Sequence, residues 1–246
     1  MERHLISHIA HTDHPIAAPV SGQTVTRILR RAKLGSQPRV LDLGCGHGVW
    51  TLRALAMHED ATADAVDLSR EGLESCRIMA EQQGLDHQLA LHQTAAADFR
   101  GGLYDLVMCV GATHAYGGLV ETARAVKEHL KPGGLALIGE GFWEVPPNAE
   151  TLITLGAEPG EYADLAGTVE RAESAGYATV YAYTSELSEW DDYEWSWTGS
   201  LLRWATDHPG ADGDAARAAA LAHRDMWLKG YRGVLGFVTL LLKRTS

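Results

Sequence analysis

A chain of 246 residues that is 46% hydrophobic and 22% charged has material for one sizeable core and no compositional reason to stay disordered. Its formal net charge of −11 repels a polyphosphate backbone, which argues against nucleic acid as a partner. No stretch approaches the roughly 18 apolar residues of a membrane-spanning helix, and three cysteines, Cys45, Cys76 and Cys109, lack disulfide or paired metal spacing and fit a reducing cytoplasm.

The N-terminus, MERHLISHIAHTDH, is polar and lacks the apolar core of a signal peptide. His4, His8 and His11 would share one face of a helix, with His14 just beyond. Pro15 ends that helix and no cysteine or acidic cluster accompanies the ring nitrogens, so no metal is expected there. Arg27, Arg30, Arg31 and Lys33 form a basic cluster that helical spacing spreads over a solvated surface.

Arg39 to Leu43 reads as a buried strand that ends in a glycine-rich turn, and Trp50 to Met57 as the helix after it. Ala63 to Asp67 is a second strand; Ser69 caps a helix that stops at Gly84. Leu89 to Gln93 and Asp105 to Val110 are further strands. A helix from Leu119 to Leu130 is closed by Lys131-Pro132-Gly133-Gly134, and Leu135 to Gly139 is the fifth strand. This alternation predicts right-handed βαβ units, a doubly wound parallel α/β sheet, and a ligand beyond the carboxyl ends of its strands. After Glu140 the pattern changes: 141–176 reads as a loop with short helices, followed by a strand at Thr179–Tyr183, helices near Trp190–His208 and Ala215–Gly230, and a last strand at Val234–Leu242. Ser188 and Asp191 are spaced as a capping pair for the first of those helices. The whole, 1–246, reads as a single domain of unstated oligomeric state.

The string VLDLGCGHGVW, residues 40–50, places Asp42, Gly44, Gly46 and Gly48 in the spacing D-x-G-x-G-x-G. Glycine there permits positive φ and lets backbone approach a ligand closely. The next strand ends in Asp67, whose carboxylate can accept hydrogen bonds from both hydroxyls of a ribose. A nicotinamide dehydrogenase would carry G-x-G-x-x-G, but residue 49 is Val. Asp42 also suits a ligand with an ammonium group, which favours an adenosyl amino acid over a pyrophosphate.

These residues resemble the S-adenosylmethionine (SAM) motif of the class I methyltransferases. Further on, CVGATHAYGG at 109–118, LKPGGLALIGEGFW at 130–143 and WDDYEW at 190–195 resemble, in the same order, strings of one bacterial branch of that superfamily. The resemblance spans about residues 20–245, with Gly141 where the branch has proline. It implies a Rossmann-like sheet of seven strands, a helical substrate cover at 141–176 and a lid at 1–25. It also implies that Gly44, Cys45, Gly46 and Cys109 face the methionine of SAM, that Asp67 and Leu68 face ribose and adenine, and that Thr94, Ala95 and Ala96 meet the adenine edge. Many relatives have aspartate where Thr94 stands.

The implied activity is transfer of a methyl group to a small-molecule acceptor. A SAM-binding sensor without catalysis, or a dehydrogenase, are the alternative readings. Methyl transfer from a sulfonium needs alignment and exclusion of water, and a base when the nucleophile carries a proton. His114, in the loop after the fourth strand, and Glu140, at the end of the fifth, are the candidate catalytic groups. Tyr116, Trp143, Trp190 and Tyr193 are the candidate substrate contacts. Trp190, Tyr193, Trp197, Leu201 and Trp204 also share one helical face, the pattern of a core stripe. Asp191 and Asp192 are adjacent and do not read as a metal pair.

Overall fold

The computed structural model describes Met1 and residues 3–245, without the side chains of Arg3 and His4. The expectation that His4 joins the face of His8 and His11 therefore lies outside the described residues. Seven strands form one sheet: β1 (Arg39–Leu43), β2 (Thr62–Asp67), β3 (Leu89–Gln93), β4 (Tyr104–Val110), β5 (Leu130–Trp143), β6 (Tyr177–Thr184) and β7 (Leu235–Arg244), in the order β3-β2-β1-β4-β5-β7-β6. β7 runs antiparallel to both β5 and β6, and the remaining pairs are parallel. The order reverses between β1 and β4, and that switch point opens a crevice beyond their carboxyl ends.

Helices α1 (Arg3–Ala10), α2 (Gly22–Ala32), α3 (Val49–Ala56), α4 (Arg70–Gln83) and α5 (Leu119–Glu128) belong to the first half. α6 (Ala149–Leu155), α7 (Leu165–Ser174), α8 (Leu187–Asp207) and α9 (Ala211–Met226) belong to the second, and α9 runs on into a π-turn at Trp227–Tyr231. Leu41 and Val107 bury their side chains on the face that carries α5, while Val40, Leu106 and Met108 pack on the other face with α2 and α3. Alternation along each strand thus fills two cores, as a sheet covered on both faces requires. The expected α/β architecture and the helical segment after the fifth strand are both present.

Three boundaries differ from expectation. β5 continues to Trp143, because Glu140 to Trp143 pair with Val238 to Leu235 of β7; the helical segment of the cover therefore begins only at α6. Lys131 to Gly134 lie within β5 as an irregularity, since Tyr104 pairs with Leu130 but Leu106 with Leu135. α8 starts three residues before Trp190, with Glu186 as N-cap and Glu189 closing a capping box. The pairing of Ser188 with Asp191 does not form, because Asp191 instead takes a two-pronged contact from Arg232, at 2.8 and 2.7 Å. No helix among the described residues is long and apolar enough to cross a membrane.

Candidate functional site

The loop after β1 is built from its glycines outward. At Gly48, with φ +75°, an added Cβ would lie 2.1 Å from the Cys76 sulfur, so α4 packs against bare backbone. At Gly46, with φ +52°, an added Cβ would meet nothing within 4 Å. Gly48 is therefore needed for packing, whereas Gly46 keeps open space clear. Asp67 fixes the loop: one carboxylate oxygen accepts from the Gly46 N–H at 2.8 Å and the other from the Ser69 N–H at 2.7 Å. Around these groups lies a cavity of about 550 Å³, walled by Gly44, Gly46, Asp67, Leu68, Ala96 and His114, with His8, His11 and Ala17 from the N-terminal segment. Six of the expected residues thus meet in one place. His8 and His11 belong to the segment expected as a lid, whereas His47 and Gly111 carry no such expectation.

Other expected contacts lie behind the cavity wall. Asp42 is buried and accepts from the Thr51 hydroxyl at 2.6 Å, and burial raises its carboxyl to about 7. It braces α3 under the loop and is not free to meet an ammonium group. Cys45 and Cys109 are buried, and burial raises both thiols. Thr94 spends its N–H on Asp67 O at 3.1 Å, Ala95 opens the 3₁₀ turn at Ala96–Asp98, and of this trio only Ala96 reaches the cavity. Tyr116 donates its hydroxyl to Ala96 O at 2.8 Å, so it supports the wall from outside.

A second cleft, of about 640 Å³, adjoins the first. Its walls come from the 3₁₀ turn at Thr113–Tyr116, the start of α5, the end of β5, and residues 160–171 of the cover. Glu140 lies in it, only 9% exposed, and accepts from the Gly141 N–H at 2.9 Å and from the Thr113 hydroxyl. Burial pushes its carboxyl above the usual range against those two hydrogen bonds. Tyr162 also lines the cleft; Trp143 stands behind it, edge to face at 5.3 Å, and is buried rather than a lining residue. Tyr162 and Arg171 carry no sequence signal of their own, because both reach Glu140 only through the tertiary fold. His114 borders both the cleft and the first cavity.

Trp190 and Tyr193 lie on the opposite side, under the N-terminal segment. The Tyr193 hydroxyl is 3.2 Å from His11 Nε2, and the rings of His14 and Trp190 meet Tyr193 edge-on. His11 Nδ1 is 2.7 Å from Ser7 O, an atom that only accepts, so Nδ1 carries the hydrogen and Nε2 accepts from Tyr193. His8 Nδ1 and His47 Nε2 face each other at 3.2 Å. The remainder of the aromatic stripe is core: Leu201 is buried, and Trp197 stacks on His223, whose Nε2 meets the buried Glu194 at 2.6 Å.

Residues 40–134 match the methyltransferase domain family. The uncharacterized protein YjhP of Escherichia coli strain K12 is 28% identical over 83% of this chain and 83% of its own length. The X-ray structure of YjhP from E. coli superposes with a TM-score of 0.90 at 26% identity, over 98% of this chain and 99% of that one. A SAM-dependent methyltransferase of Thiobacillus denitrificans in complex with S-adenosyl-L-homocysteine gives a TM-score of 0.90 at 26% identity, over 100% and 99% of the two chains. A SAM-dependent methyltransferase of Geobacter sulfurreducens, at 24% identity and a TM-score of 0.91 over 98% of both chains, shares the fold. The glycine loop, the sheet order and these matches agree: residues 40–134 carry a methyltransferase domain, the chain has the Rossmann-like methyltransferase fold, and the likeness to a neighbour holding S-adenosyl-L-homocysteine supports a SAM-dependent methyltransferase.

Proposed function

We propose that the glycine-loop cavity holds SAM and that the adjoining cleft holds a small-molecule acceptor, so that methyl transfer occurs at His114 between them. The observation that carries this reading is the position of His114, which borders both spaces. The residues of the first cavity suit the donor. Gly46 leaves room for a ligand against backbone, the Asp67 oxygens retain lone pairs for ribose hydroxyls, and Leu68, 69% exposed, offers apolar surface for an adenine ring. Bound there, SAM supplies a methyl carbon on a sulfur leaving group. The residues of this chain have to align the acceptor and keep water out.

His114 meets the acceptor at the seam, and Glu140 binds a polar group of it. The lid expected at 1–25 closes the donor side with Ser7, His8, His11, Pro15 and Ala17, and the cover expected at 141–176 lines the acceptor side with residues between 160 and 171. A sensor without catalysis has no use for a second cleft opening at the same residue. Calorimetric titration with SAM and with NADH, followed by transfer of labelled methyl from SAM to a small-molecule extract, tests the proposal. Micromolar SAM binding, no NADH binding and label in a small product are expected. NADH binding, or label only in macromolecules, would overturn it.

A further inference from the structure

We propose that the acceptor is an amine, and that its ammonium form is held in the cleft by the Glu140 carboxylate and the face of Tyr162. This inference rests on the cleft being the acceptor site, and it names the chemistry that site selects.

The cleft around Glu140 is richer in acid than in base. Glu140 is nearly buried, yet both hydrogen bonds to its carboxylate come from neutral donors, the Gly141 N–H and the Thr113 hydroxyl. Among the described residues no cationic side chain lies within ion-pair range of it. Arg171 lines the same cleft, but its two terminal nitrogens bond Glu161 O at 3.0 Å and Gly160 O at 3.1 Å. Arg124 faces Glu121 at 3.8 Å on the outer rim. Arg171 therefore acts on Glu140 only at a distance, lowering its carboxyl against the larger effect of burial. A buried carboxylate without a direct ion-pair partner is costly, and a cation entering from the cleft removes that cost. A neutral alcohol or thiol would not.

The rest of the lining points the same way. Glu161 and Glu121 add carboxylates, so the cleft holds three acids against two guanidiniums, of which Arg171 is held in place by backbone carbonyls and Arg124 by Glu121. Tyr162 is held edge-on by Trp143, and a fixed aromatic ring beside a carboxylate is the arrangement that attracts an ammonium group. Glu140 then has a second task. An ammonium nitrogen has no free lone pair, so one N–H bond breaks, its proton forms an O–H bond on Glu140, and the electron pair stays on nitrogen. When that pair takes the methyl carbon, the carbon–sulfur bond breaks and its electrons remain on sulfur; the proton on Glu140 passes to solvent. The raised acidity range of the buried carboxyl brings it nearer to that of an amine and eases the exchange.

The test uses benzylamine and its isostere benzyl alcohol, titrated into the protein saturated with S-adenosylhomocysteine. Benzylamine should bind at least about tenfold more tightly than benzyl alcohol. Glu140→Gln should remove that preference while leaving S-adenosylhomocysteine affinity unchanged, and Tyr162→Leu should reduce it in part. Benzylamine binding should also strengthen as pH rises through the titration of Glu140. Equal binding of amine and alcohol, or an unchanged preference in a folded Glu140→Gln protein, would overturn the amine assignment and leave the donor site standing. Failure to bind S-adenosylhomocysteine would instead sink the reading on which it rests.

Discussion

Two walls of the donor cavity differ in a way that separates access from closure. On one side His114 opens onto a cleft whose nearly buried carboxylate, Glu140, has no direct ion-pair partner. On the other side His8, His11 and His14 are engaged with His47, Tyr193 and the Ile16 carbonyl. Both walls bury titratable groups, but the first offers an unmet charge and free volume, and the second consists of rings that satisfy one another. A surface kept for a ligand is recognised by what the protein leaves uncompensated there, more than by how many polar side chains it carries.

The sharpest break of this picture is Gly46→Val. The branched side chain would fill the space that is clear around Gly46 and would force a β-branched residue to φ +52°. SAM binding should fall below detection in a protein that still melts cooperatively. Retained affinity would move the donor out of this cavity, and with it the meaning of both walls.

Asp67→Ala should weaken SAM binding by about 1.5–3 kcal/mol, the range of charge-assisted hydrogen bonds. It should also cost some stability, because Asp67 ties the Gly46 and Ser69 amides together. Asp67→Asn keeps one acceptor oxygen and should lose less in both measurements. Wild-type titration curves for both variants would place the ribose elsewhere.

His114→Ala should raise the Michaelis constant for the acceptor by about tenfold or more, with SAM affinity intact and much of the loss recovered in His114→Gln. If turnover instead falls by about 10²–10⁴-fold and the acidic limb of the pH–rate profile disappears, His114 is the base and Glu140 only an anchor.

The smallest expected effect concerns pH and has opposite signs at the two walls. Burial, with His11 and His8 nearby, lowers His47 to about 4; burial lowers His11 as well, opposed by its hydrogen bond to the Ser7 carbonyl and by Glu194 and reinforced by His14 and His223. The unfolded chain therefore takes up these protons more readily, and the stability of the histidine wall, full above about pH 6.5, is lost as pH falls towards about 4. Burial raises Glu140, so its contribution runs the other way and is lost as pH rises through its titration. Amide protection factors, which remove the intrinsic slowing of exchange at lower pH, should fall in α1 between pH 7 and pH 5 far more than in β1. Equal change in both would show that the histidines do not control that wall.

The glycine loop, the Asp67 strand end and the sheet were legible in the sequence because each is specified by neighbours within a few residues: turn chemistry, strand alternation and a cap. Asp42 was misread for a related reason. Its position beside the glycines is visible, but the Thr51 hydroxyl that covers it belongs to the following helix and leaves no pattern in the motif. The aromatic stripe was legible as periodicity, yet the same 3.6-residue spacing serves a pocket and a core equally, and only packing shows Trp197 against His223 and Tyr193 against His11. The acceptor cleft was the least legible part. Glu140 stood out at a strand end, while Tyr162 and Arg171 come from a stretch without periodic pattern and join it through folding alone.

The central claim, that transfer takes place on the His114 side, is tested most directly by a crystal structure with S-adenosylhomocysteine bound. The ligand is expected against Gly46 with its ribose on Asp67 and its sulfur turned towards His114 and the cleft. A sulfur turned instead towards His11 and Tyr193, with the cleft shut off behind it, would contradict the account and make the histidine wall the place where the acceptor is met.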